Sequence, residues 1–155
     1  FQALGVPFER RGDRTDEYLR TMRAAWSDET ASFHGDFVQF SDVYSRPQPV
    51  DRHVPIIVGG HSKRAARRAG EIGDGFFPGR GRPEELSALF DHARRIAEEC
   101  GRDPDALEFT AGGPTTREYV EQLAAIGVSR MIVPPMDPSQ FTKLGDEVIA
   151  PFSSI

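Results

Sequence analysis

Apolar residues recur along this chain with two periods, and the change of period marks out its elements. From residue 55 onward, short apolar runs at 55–60, 75–78, 107–112 and 130–134 alternate with longer stretches of helical period. The runs suit buried strands: they are too short for helices, and the first is rich in β-branched residues. In 83–100, Leu86, Leu89, Phe90, Ala93, Ile96 and Ala97 recur at spacings of three and four, which predicts one apolar helix face. Val120, Leu123 and Ala124 mark a second such face in 116–126. Phe141, Leu144, Val148 and Phe152 mark a third near the C-terminus. Gly73, Gly101 and Gly127 follow helical runs where C-cap glycines belong. Four β-then-α units in a row demand a parallel sheet covered by helices.

The first 50 residues follow a different plan. Residues 14–26 predict an amphipathic helix with Tyr18, Leu19, Met22, Ala25 and Trp26 on or near one face. Residues 31–41 alternate, turn at His34, Gly35 and Asp36, and alternate again, which predicts a small β-hairpin. The prolines at 47, 49 and 55 impose an extended approach to the first parallel strand.

Composition narrows the class. The 155 residues suit one domain able to bury a core, and 38% apolar with 28% charged residues is a globular balance. A net charge of −5 argues against a nucleic-acid partner. No apolar run approaches the ~20 residues of a membrane helix. The basic cluster Lys63, Arg64, Arg67 and Arg68 reads as a solvated helix face. One cysteine, Cys100, excludes an internal disulfide, fits a reducing compartment and reads as a packing residue, so the cytoplasm is the default location.

Four parallel strands leave two open edges, which a (β/α)8 barrel would close, but such a barrel takes ~250 residues. The chain starts on Phe1. The expectation is therefore the C-terminal half of a (β/α)8 barrel whose N-terminal half is missing, with a small doubly wound domain as the competing geometry. The stretch Val54-Pro-Ile-Ile-Val-Gly-Gly-His-Ser62 carries the candidate chemistry: a buried strand, two glycines, then helix-forming sequence. The first N–H groups of a helix lack internal partners and lie at the positive end of its dipole, so such a junction can hold a phosphate. The bland alternative is a tight turn with Ser62 as an ordinary N-cap.

Several segments, in order, resemble the luciferase-like flavin-dependent oxidoreductases, above all the branch that uses the deazaflavin coenzyme F420. They are Phe1-Gln-Ala-Leu-Gly-Val-Pro-Phe8, Arg11-Gly-Asp-Arg-Thr-Asp-Glu17, the helix end at Trp26, and Ser32-Phe-His-Gly-Asp-Phe-Val-Gln-Phe40. After these come Arg46-Pro-Gln-Pro-Val50, Pro55-Ile-Ile-Val-Gly-Gly60 and Gly73-Asp-Gly-Phe-Phe-Pro78. The resemblance implies that the four runs are barrel strands five to eight, preceded by an inserted hairpin. It implies a cofactor, F420 or FMN, with F420 favoured, whose phosphate meets Gly59, Gly60, His61 and Ser62. The implied reaction on a small-molecule substrate is hydride transfer with F420 or monooxygenation with FMN, since reduced FMN reacts readily with oxygen and a reduced deazaflavin does not. Much of the ring pocket and many substrate contacts would belong to the missing half, leaving the fragment alone inactive.

Other groups are weaker candidates. Gly112-Gly113-Pro114-Thr115-Thr116 is a second strand-to-helix junction, read as turn glycines followed by a threonine cap. Asp74 reads as helix-end turn chemistry. His34, His53 and His92 show no metal-ligand spacing, so no metal site and no catalytic residue is assigned. The alternative from another class is a non-catalytic phosphate-binding module, folding alone or as a homodimer that restores eight strands.

Overall fold

The computed structural model describes residues 1–152, and these fall into two compact units that divide at Pro55 and Ile56. The first unit contains α1 (Arg11–Ser27) and an antiparallel hairpin of β1 (Ala31–His34) and β2 (Gln39–Val43). The hairpin runs two residues further than expected, and its turn occupies 35–38, closed by Gly35 N–H donating to Val38 O at 2.9 Å.

Glu17 of α1 sets that turn. Its buried carboxylate accepts from the amides of Asp36 (2.9 Å), Phe37 (2.7 Å) and Val38 (2.7 Å). Unpaired backbone amides need an acceptor, and a carboxylate supplies strong ones. The predicted apolar stripe on α1 is corrected accordingly: Asp16 and Glu17 are buried, while Tyr18 and Met22 are exposed. Arg10 and Arg14 each lie 4.7 Å from the Phe37 ring centroid, and Arg10 pairs with Asp36 at 2.8 Å.

The second unit is built as expected from four βα units. Its strands β3 (Ile57–Gly59), β4 (Gly75–Phe77), β5 (Glu108–Gly112) and β6 (Val128–Ile132) are all parallel and lie side by side in chain order. The connections are α2 (Lys63–Ile72), α3 (Pro83–Glu99) and α4 (Arg117–Ala125). The last strand begins two residues earlier than its apolar run suggests, directly after Gly127. Pairing decides this: Val128 sits opposite Phe109, and Arg130 opposite Thr110. Ser129 makes the missed residues, 128 and 129, look like the end of a turn, but an edge strand tolerates it.

The core lies between the sheet and its helices. Phe76, Phe90, Phe109, Leu86 and Leu123 are its largest fully buried side chains, with Val58 and Ala111 of the strands and Ala65, Ala66, Ala69, Ala93 and Ala97 of the helices beside them. Phe90 of α3 meets Phe109 at 4.4 Å and Phe76 edge-on at 6.2 Å. Each such ring contributes about 1.5–3 kcal/mol by burial alone. Strand alternation places Phe77, Glu108 and Thr110 on the opposite face of the sheet. There Arg130 pairs with Glu108 at 2.6 Å, and the Thr110 hydroxyl is buried without a hydrogen-bond partner among the described residues.

Three smaller expectations change. Arg68 is buried rather than solvated, because helical spacing places it beside Ala65 and Ala69 on the covered face of α2. Cys100 is exposed at the C-cap of α3, where Gly101 turns the chain away. The C-terminal stripe is interrupted. After α5 (Pro138–Leu144) comes a π-helical stretch, Gly145–Ile149, and then α6 (Ala150–Phe152). Leu144 and Val148 are buried, Phe141 is 60% exposed, and the Phe152 side chain lies outside the described residues.

Replacing Phe90 by alanine is expected to cost about 3–5 kcal/mol, read as a lower urea midpoint of the full-length protein. Glu17→Ala is expected to cost about 1–3 kcal/mol and to speed hydrogen exchange at the amides of Asp36, Phe37 and Val38.

Candidate functional site

Because β3 to β6 are parallel, their C-terminal ends all emerge along one edge of the sheet. In sheets of this kind, the loops at that edge carry the binding sites. The four predicted residues, Gly59, Gly60, His61 and Ser62, form the turn from β3 into α2. Ser62 caps the helix, its Oγ accepting from Ala65 N–H at 3.2 Å, and the first intrahelical bond runs from Ala66 N–H to Ser62 O. The amides of His61, Ser62 and Lys63 precede that bond and so have no partner within α2. Gly60 has φ +129°, and a Cβ there would stand 3.0 Å from Ala65 Cβ. A side chain at Gly60 would therefore crowd the helix start. The residues present fit a phosphate group, with one amendment. The Gly60 N–H is already committed to Phe77 O at 3.2 Å.

His61 reaches sideways. Its Nδ1 lies 3.1 Å from Pro78 O, and a carbonyl only accepts, so Nδ1 carries the hydrogen and Nε2 is left for other contacts. A Cβ at Gly81 would stand 3.4 Å from His61 Cε1, so the loop after β4 lies directly against the imidazole. In that loop Arg82 donates to Glu85 through Nε and Nη2. This bond holds the Glu85 carboxyl below the usual carboxylate range and the Arg82 pKa above its own.

The second junction, 112–116, has the turn glycines and threonine cap that its turn reading expected. Thr116 Oγ1 caps α4 by accepting from Tyr119 N–H at 3.4 Å. Gly113, at φ +154°, must be glycine because a Cβ would fall on the Tyr119 ring. The Tyr119 hydroxyl lies 2.7 Å from Gly81 O and 3.3 Å from Gly112 O, tying two loops together. Gly112 N–H donates to Gly79 O at 2.8 Å. Below these loops is a cavity of about 640 Å³ at the ends of β4, β5 and β6, with Phe77, Arg80, Ile132 and Val133 among its walls. Asp74, expected to do helix-end turn work, instead ties the starts of two neighbouring strands: its Oδ2 accepts from Ile56 N–H, just ahead of β3, at 2.6 Å.

Sequence reasoning missed Arg80 and Tyr119. The signal for Arg80 was available, as a charge between Gly79 and Gly81 directly after an apolar strand. Tyr119 carries none, because only the fold brings it to Gly81. His34, His53 and His92 are scattered: His34 ends β1, His53 Nδ1 lies 2.8 Å from Arg23, and His92 Nδ1 lies 2.9 Å from Arg95. Among the described residues, no group of three or more His, Cys, Asp or Glu is placed to hold a metal. Nor is any described helix long and apolar enough to cross a membrane.

A family model described as luciferase-like monooxygenase matches residues 1–130. The chain belongs to this family. An uncharacterized protein of Mycobacterium tuberculosis is 34% identical over 134 residues, covering 86% of this luciferase-like chain and 46% of that protein. The FMNH(2)-dependent dimethylsulfone monooxygenase of Pseudomonas putida is 31% identical over 152 residues, 96% of this chain and 41% of the enzyme. The chain thus spans about half the length of the curated relatives it matches. Among solved structures, the coenzyme F420-dependent tetrahydromethanopterin reductase from Methanopyrus kandleri superposes with a TM-score of 0.71 at 13% identity. The match covers 98% of this chain and 71% of the reductase. The fold is that of part of a luciferase-like (β/α)8 barrel, as the resemblance implied.

Tyr119→Phe removes the hydroxyl that spans Gly81 and Gly112 while keeping the ring. It is expected to cost about 1 kcal/mol in urea unfolding and to raise backbone exchange within 79–81.

Proposed function

We propose that this chain is the cofactor-phosphate half of a luciferase-like oxidoreductase that uses F420 or FMN on a small organic substrate. The observation that carries the reading is the β3–α2 turn. It joins a helix start with amides ahead of the first intrahelical bond to a glycine at which any Cβ would crowd Ala65. Gly59 and Gly60 would let a phosphate approach the backbone, the His61, Ser62 and Lys63 amides would face it, and His61 Nε2 would stand beside it. The bound cofactor would supply the redox chemistry, transferring a hydride as a deazaflavin or supporting oxygen insertion as a flavin.

The residues of this chain bind and orient. Ser62 stiffens the helix start, the Pro78 carbonyl fixes the His61 ring, and Tyr119 closes the neighbouring loop against β5. Four further βα units in the full-length protein would pair with the edge strands β3 and β6. They would bring the surfaces that meet the cofactor ring. The family match supports the class of reaction, and relatives using FMNH(2) and F420 support both cofactors alike.

Two substitutions test the phosphate assignment in the full-length protein by titration with F420 and with FMN. Gly60→Val crowds the helix start, where its Cβ would stand 3.0 Å from Ala65 Cβ. Gly59→Val adds a side chain whose Cβ would stand no nearer than 4.0 Å to Phe77 O, so it meets little protein. Both are expected to weaken cofactor binding by about tenfold or more while helix content stays nearly constant. Unaltered titration of both variants would sink the assignment. Which cofactor the wild-type protein retains separates the dehydrogenase from the monooxygenase reading.

A further inference from the structure

Several arginines of the second unit have acidic partners, while Arg80 has none among the described residues. Arg82 pairs with Glu85 at 2.6 Å, Arg117 with Glu121 at 2.8 Å and Arg130 with Glu108 at 2.6 Å. Arg80 is exposed and makes no side-chain hydrogen bond or ion pair among the described residues. It is also the sole charged residue among the described residues that line that cavity of about 640 Å³. The other walls are Phe77, Pro114, Ile132, Val133, Pro134 and Pro135, together with glycine backbone.

The position is held rather than loose. On one side, the Gly79 carbonyl accepts from Gly112 N–H at 2.8 Å; on the other, the Gly81 carbonyl accepts from the Tyr119 hydroxyl at 2.7 Å. Arg80 itself bridges to Gly112 as an isolated parallel pair. Backbone pinned at both neighbours fixes where the Arg80 side chain starts, so binding has to order only the side chain and not the loop.

A single guanidinium beside an apolar cavity discriminates between ligands. A neutral apolar molecule would strip water from Arg80 and return nothing, whereas a carboxylate or similar oxyanion would meet its donor fork in paired, charge-assisted bonds. We propose that this cavity takes an apolar organic anion, its hydrophobic body against Phe77 and Ile132 and its oxyanion on Arg80. Arg80 is thus a residue that sets substrate specificity. The proposal rests on the oxidoreductase reading only in that this anion would be the enzyme's substrate.

The test is calorimetric titration of the cofactor-free full-length protein with 4-phenylbutyrate and with its neutral isostere 4-phenylbutanamide. The anion is expected to bind about tenfold or more tightly than the amide. Arg80→Gln is expected to abolish that preference and Arg80→Lys to keep part of it. Titration of Arg80→Gln with F420 and FMN is expected to match the wild type. Equal affinities for the two probes, no binding of either, or a preference that survives Arg80→Gln would each overturn the proposal. Loss of cofactor binding in Arg80→Gln would overturn it too, because Arg80 would then hold the cofactor's own anion. If instead the Gly59 and Gly60 variants keep their cofactor affinity while Arg80→Gln loses the anion preference, the cofactor reading fails and the anion site stands.

Discussion

The second unit depends on one contact: Phe90 of α3 seated between Phe76 of β4 and Phe109 of β5. A parallel pair of strands cannot be closed by a tight turn, so β4 and β5 are joined only through the long crossover that α3 provides. The Phe90 ring decides where that helix lies on the sheet. Once α3 is placed, its start, just after Gly81, is placed as well, and so is the loop that carries Pro78, Gly79, Arg80 and Gly81. Arg94, one turn further along α3, stacks 4.5 Å from the centroid of Phe109 and reinforces the same seat.

Above this core, the edge where the strands end is organised by backbone groups, with side chains in supporting roles. Gly112 N–H holds Gly79, the Pro78 carbonyl holds His61, and the Tyr119 hydroxyl spans Gly81 and Gly112. Each link joins two different βα units. The β3–α2 turn is thereby coupled to the β4–α3 loop, and that loop to β5. A ligand phosphate at the first and an organic anion at the second would share one rigid frame, with binding energy going into the ligands rather than into ordering loops.

In the first unit the governing group is a carboxylate. Glu17 collects three turn amides, and this demand overrides the apolar stripe that periodicity draws on α1. The sequence offers no sign of it, since Glu17 on a helix reads as a solvent-facing charge. Arg68 misleads in the same way: its charge suggests solvent, while its spacing from Ala65 places it on the covered face. Periodicity was the safer guide at Arg68 and the poorer one at Glu17. The difference is that three unpaired amides waited opposite Glu17.

Four βα units, their chain order and the strand-to-helix turn at Gly59, Gly60, His61 and Ser62 were all legible in the sequence. The physical reason is that apolar period and glycine position are local properties. Strand register was not legible: β6 starts at Val128 because Phe109 to Gly112 require partners there, a demand made by another strand. Nor were Tyr119 as a tie between loops, the commitment of the Gly60 amide to Phe77, or Arg80 as a charge lining an apolar cavity. Those depend on which backbone groups and walls the folded sheet brings within reach, and only the tertiary structure decides that.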